Sequence, residues 1–323
     1  MKKLILFMLV LLACHEIKAQ TVLVFPKKMI LTQPMSLNHV NNMTISGDSI
    51  VGGTLPCILL QNCTNIHITH CKLVNSTTIG IQMANCSNVV IDSNYIANVS
   101  TGVYAQACPL GNLKVNANYI LNVMGPFPRG QAVQFNTVNG PGNRITYNRC
   151  ENIAGKSNPE DVINVYKSNG TATDPITIGW NWVRGGGPST TGAGITVGDQ
   201  GGSNQSVLNN YVINSGAMGI QVAGGSNIKV QSNEIFSDVF PWSHVGLGYG
   251  NYSGLPSTNI SIGWNMIHWL SGSPVDQWKG SKSMEKDTSH QKGTLAPTSW
   301  STNIVNATTL TKSVLPSVMA VVK

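Results

Sequence analysis

NVVIDSNYIANVSTGVYAQACPLGNLKVNAN (88–118) decides the fold. It opens on a short alternating run ending in asparagine, NVVIDSN (88–94), and closes on a second copy, NLKVNAN (112–118), with another alternating strand, GVYA (102–105), between them. Working outward, the first template recurs as NIHITHC (65–71), NRITYN (143–148), PITIGWN (175–181), SVLNN (206–210), NIKVQSN (227–233) and NISIGWN (259–265). The second recurs as GIQM (80–83), AVQF (132–135), VINV (162–165), GITV (194–197), GIQV (219–222) and, less regularly, HVGL (244–247). The early spacing is about 23 residues. Alternation buries every second side chain, and so short a unit completes a core only by stacking on copies of itself. The expected fold is all-β: a single-stranded right-handed parallel β-helix of about nine coils over residues 20–272.

Composition agrees. Only 10% of the 323 residues are charged and 33 are glycine, which fits neither helical repeats nor an ordinary mixed enzyme. Asn94, Asn118, Asn148, Asn181, Asn210, Asn233 and Asn265 fall in one column, where stacked amides can hydrogen-bond from coil to coil. Cys63, Cys86 and Cys108 are one repeat apart and Cys71 stands in the asparagine position, so buried free thiols are expected rather than bridges. No CxxC metal spacing occurs.

Lys2 and Lys3 followed by the apolar run Leu4–Ala13 read as a signal peptide over 1–19, cleaved after Ala19, with lipidation at Cys14 as the alternative exit. A secreted or periplasmic monomer is expected, with no later stretch apolar enough to span a membrane. Losing residues 1–19 removes three lysines and Glu16 and takes the net charge from +7 to +5. Residues 273–323 read as a polar, lysine-rich loop and a tail capping the last coil. GGGPS (185–189) lacks the Lys-Ser/Thr and the following helix of a phosphate loop, and no clustered basic and aromatic surface suggests nucleic acid.

The sparse charge collects in NPEDVINVYKSNGT and PITIGWNWVRGGGPSTTGAGITVGD (158–199), where coils lengthen from about 22 to about 30 residues. The insertions are MGPFPRGQ, ENIAGKSNPED and WVRGGGPSTTGAG, and inserted loops on a rigid frame carry function disproportionately. Aligning Ile81, Val103, Val133, Ile163, Ile195 and Ile220 as an inward column makes Gln82, Tyr104, Gln134, Asn164, Thr196 and Gln221 an outward polar stripe. The same count sets Thr137, Lys167 and Asp199 in register on one side, and Gln131 and Asp161 on the other. Tyr104, Tyr166, Trp180 and Trp182 are candidate sugar-stacking faces.

EDVINVYKS and IGWNWVRGGG resemble the acidic pair, strand and basic residues of the pectate-lyase-like superfamily of secreted β-helix proteins that act on polysaccharides. The resemblance implies an acidic glycan as partner and Ca²⁺ as cofactor. It makes Glu160, Asp161 and Asp199 the metal ligands, Lys167 the base, and Arg184 and Arg129 the groups that clamp the substrate carboxylate. Gln131, Gln134, Asn164 and His244 would contact substrate. The activity implied is a lyase acting by β-elimination. Two alternatives stand beside it: an inverting glycoside hydrolase using Asp161 or Glu160 with Asp199, roughly 6.5–9.5 Å apart, and a non-catalytic surface protein whose stripe binds glycan.

Overall fold

The computed structural model describes residues 23–125, 130–270, 282–286, 298–305 and 307, the segment 282–286 as backbone alone. The expected signal peptide, Cys14 and Arg129 lie outside them. Every pairing between strands is parallel, and each coil turns through three faces. Nine strands, from Asn41–Ser46 to Thr258–Gly263, form the first face. The second includes Tyr119–Val123, Arg149–Glu151, Trp182–Arg184 and Tyr211–Ile213. The third includes Val133–Val138, Ile163–Tyr166, Ala193–Asp199 and Met218–Val222. Lys72–Ala84 and Tyr95–Cys108 run through both of the latter faces. The molecule is a parallel β-helix, as expected.

The inward column is real: Ile81, Val103, Val133, Ile163, Ile195 and Ile220 are paired coil to coil and wholly buried. So is the asparagine column. Asn94, Asn118, Asn148, Asn181, Asn210, Asn233 and Asn265 are buried, and each Nδ2 donates to the Oδ1 of the next at 2.8–3.0 Å, with Asn303 continuing the series beyond Asn265. Each amide also caps a carbonyl of the preceding coil, Asn181 that of Ile145 at 2.8 Å. The residue ahead of each asparagine turns the corner at positive φ, from 53° at Ala117 to 60° at Trp264. A buried amide therefore satisfies the backbone groups that the corner removes from the ladder.

Cys57, Cys63, Cys71, Cys86, Cys108 and Cys150 are free and buried, and the Cys63 and Cys86 amides each point at the sulfur one coil on, at 3.4 Å. Burial pushes the Cys150 thiol up to about 12, so it packs as an apolar side chain. The repeat also runs further than the sequence pattern showed. Lys282–Lys286 pairs with Val245–Tyr249, and Ile304–Val305 with Met266–Ile267. The segment read as loop and cap thus supplies further rungs.

Candidate functional site

Four coils of the third face build a pocket of about 300 Å³ lined by Tyr104, Gln131, Gln134, Asn136, Glu160, Asp161, Asn164, Tyr166 and Asp199. Strand pairing sets Gln134, Asn164 and Thr196 side by side, as the outward stripe predicts. Asp161, at the entry of the strand Ile163–Tyr166, is buried. Its Oδ1 accepts from the Ala193 amide and the Thr196 hydroxyl, both at 2.8 Å. The Asn164 Nδ2 donates to Asp161 Oδ2 at 2.7 Å and to Asp199 Oδ2 at 3.0 Å, so one amide holds two carboxylates from neighbouring coils. Glu160 faces the loop of the next coil, its two oxygens accepting from Ser189 at 2.8 Å and Thr191 at 2.6 Å.

Burial raises the Asp161 carboxyl from 3.8 to about 6, against the pull of its three donors, and nearby Asp199 adds to the rise. The consequence for stability has a definite sign. The folded state holds the proton more tightly than the unfolded chain, so this group's contribution is fully present below its unfolded value and is lost as pH rises from about 4 to about 6. Asp161→Asn, with the Asn164 amide turned to offer its oxygen, lacks this titration. Its melting temperature is expected to gain on the wild type across that interval, read by thermal melts at stepped pH.

The sequence count placed Lys167 in register with Asp199, and the structure corrects it. The pairing shifts between Asn164 and Tyr166, so Tyr166 stands opposite Asp199. Lys167 occupies the corner beyond, at φ 49°, exposed, with its Nζ 5.2 Å from the Tyr166 ring centre and its backbone amide on the Asp199 carbonyl. Arg184 lies on the second face, where its Nε is 3.7 Å from Glu151, and is not among the pocket's lining residues. His244 is buried, its amide on the Ala217 carbonyl, and burial lowers its pKa, which keeps the imidazole neutral. It does not line the pocket either.

Of the four aromatics, Tyr104 and Tyr166 line the pocket. Trp180 stacks on Tyr147 at the asparagine corner, 5.3 Å between centroids, and Trp182 lies 4.2 Å from the Arg149 guanidinium on the second face.

The donor set does not fit the expected calcium site. Among the described residues no group of three His, Cys, Asp or Glu side chains is arranged to hold a metal. Glu160 is turned to two hydroxyls, and N–H and O–H donors face the Asp161 oxygens where a cation needs bare ones. The facing oxygens of Asp161 and Asp199, both bonded to one nitrogen, also lie within about 6 Å, closer than the roughly 6.5–9.5 Å expected of an inverting pair.

Sequence reading missed Asn136, which donates to the Tyr104 hydroxyl at 2.9 Å, and a second cavity beside the pocket. That cavity, about 460 Å³, is walled by Ala154, Gly155, Ser157, Asn158, Gly186, Gly187, Pro188 and Trp242. Its two inserted loops also deliver Glu160 and Ser189, which bond to each other. Their fit is close: a Cβ at Gly192 would fall on the Glu160 carbonyl oxygen. Gly192→Ala is therefore expected to cost about 1–3 kcal/mol by overpacking, checked by equilibrium denaturation.

Comparison with known proteins agrees with the fold. The family described as right handed beta helix region matches residues 32–135, about a third of the chain, ending short of the carboxylates. No curated protein matches the sequence. The catalytic domain of a GH87 alpha-1,3-glucanase, solved with tetrasaccharides, is similar in structure at 14% identity and a TM-score of 0.52. The match covers 82% of this chain and 54% of that one, so the chain spans about half its length. An alginate lyase from Paenibacillus sp. strain FPU-7 gives 12% identity and a TM-score of 0.49, covering 84% and 94% of the two chains. A tailspike protein of E. coli bacteriophage HK620 gives 10% and 0.35, covering 87% and 45%. At such identities the likeness is one of fold: the chain is a right-handed parallel β-helix protein.

Proposed function

We propose that this protein is an exported glycan-cleaving enzyme, and that hydrolysis with Asp161 and Asp199 as its carboxyl pair is the chemistry the pocket supports best. One observation carries this reading: two carboxyl groups share a single amide donor in a pocket, and the buried one titrates near 6. Environments that push paired carboxyls apart suit one to act as acid and the other as nucleophile. Protonation of Asp161 at Oδ2 frees the Asn164 amide to turn wholly to Asp199. Asp161 then gives its proton to the glycosidic oxygen while Asp199, the more open of the two, bonds to the anomeric carbon and the glycosidic bond breaks. Water then gives a proton to the Asp161 carboxylate and adds to the anomeric carbon, releasing the Asp199 carboxylate, the retaining course that suits carboxyl groups this close.

A second reading is β-elimination on an acidic glycan, as the sequence resemblance implies. It is favoured by Tyr166, which lines the pocket with the Lys167 ammonium 5.2 Å from its ring centre. The two reactions leave different ends. Hydrolysis yields new reducing ends without ultraviolet absorbance; elimination yields an unsaturated, absorbing uronate. Incubation with a panel of neutral and acidic polysaccharides, with calcium and with chelator, decides between them. Absorbing ends would overturn the hydrolytic assignment, and neither product on any substrate would leave a glycan-binding protein.

A further inference from the structure

The polar groups of the pocket are unevenly spent. Three of its amide donors are used internally: the Asn164 amide on Asp161 and Asp199, Asn136 on the Tyr104 hydroxyl, and the Gln134 Nε2 on the Asn164 oxygen at 3.4 Å. The acceptors are in surplus. Gln131 and Gln134, 1% and 8% exposed, each keep a buried Oε1 with no hydrogen-bond partner. Three carboxylates stand beside them, and the described lining residues include no Lys, Arg or His. The chain as a whole carries +7, so this local acidity runs against its average charge.

A buried acceptor without a donor costs free energy that a ligand's donor recovers. The last torsion of a glutamine is broad, so each amide can present its oxygen by a small rotation. Sugar hydroxyls supply such donors. A sugar carboxylate supplies only further acceptors and a further negative charge.

We infer that the pocket takes a sugar residue bearing no carboxylate, whose hydroxyl hydrogens are donated to the carbonyl oxygens of Gln131 and Gln134. An amino sugar, whose ammonium is also a donor, belongs to the same chemical class; a uronate does not. This rests on the glycan reading above and revises the acidic substrate that the sequence implied.

Calorimetric binding to the Asp161→Asn protein tests it, with gluco-oligosaccharides, chitosan oligomers and oligouronates of equal length, in chelator and in calcium. Neutral or amino oligomers are expected to bind at least tenfold more tightly than uronates, and the two arms show which of them is preferred. Gln131→Met is expected to weaken that binding about tenfold with melting temperature unchanged or raised, because its buried oxygen has no partner to lose; Gln134→Met is expected to weaken it as much, with a small fall in melting temperature for the long bond it makes to Asn164. A merely structural amide would show the reverse, a lower melting temperature with binding intact.

Tighter uronate binding in either buffer overturns the inference, as do methionine variants that bind like their parent, or no binding at all. Glutamine-dependent neutral binding without cleavage by the wild type would sink the enzymatic reading and leave this one standing. Cleavage of uronans alone would do the opposite.

Discussion

Asp161→Asn is expected to lower the rate of glycan cleavage about a thousandfold, the usual scale for removing a positioned general acid, while the protein stays folded. The side chain is close to isosteric, and Ala193 and Thr196 still find an oxygen to donate to. What is lost is the proton. Asp199→Asn should cost a comparable factor, and the double variant little more than either single one, since residues that act as a unit are not additive. The wild-type rate should fall as pH rises above about 6, where Asp161 gives up its proton. Initial rates of reducing-end release across pH check all of this. An Asp161→Asn enzyme of near wild-type rate would remove the residue from the reaction.

The second large effect is on folding. Asn181→Leu is expected to cost about 3–5 kcal/mol, because it strands several buried groups at once and each costs about 1–3 kcal/mol. Asn148 donates to the Asn181 oxygen through both its backbone amide and its Nδ2, at 3.0 Å each, and the Ile145 carbonyl accepts from the Asn181 Nδ2. Leucine can fill the volume but answers none of them. Asn98→Gly is the control. Asn98 belongs to an exposed asparagine stack, at φ 54°, which glycine also adopts, and the expected change is about 0.5 kcal/mol. Equilibrium denaturation separates the two; equal losses would mean that burial adds nothing to the ladder.

Much of this was legible in the chain, for a physical reason: stacked coils must repeat, so the inward aliphatics and the corner asparagines recur at countable intervals. Glu160, Asp161 and Asp199 stood out because charge is scarce and falls where coils lengthen. Counting failed where the backbone departs from strict alternation. Gly198, at φ 65°, accompanies the extra residue that moves Asp199 opposite Tyr166 and leaves Lys167 at the corner. Arg184 was expected at the substrate because two templates were seen where the coil has three faces. The second-face strands there, Arg149–Glu151 and Trp182–Arg184, are only three residues long and leave little pattern. The rung at Lys282–Lys286 escaped because a lysine-rich sequence does not look like a strand.

The extra length of the long coils, about 30 residues against 22, is largely spent between the second and third faces, where the walls of pocket and cavity lie, while the asparagine corner keeps one form throughout. Heritable change can therefore fall on either without disturbing the other. A lineage could lengthen or exchange those loops, and so try new substrates, on a frame whose folding never comes under trial. It could equally copy a coil and extend the groove by one rung, keeping the reaction centre it already has.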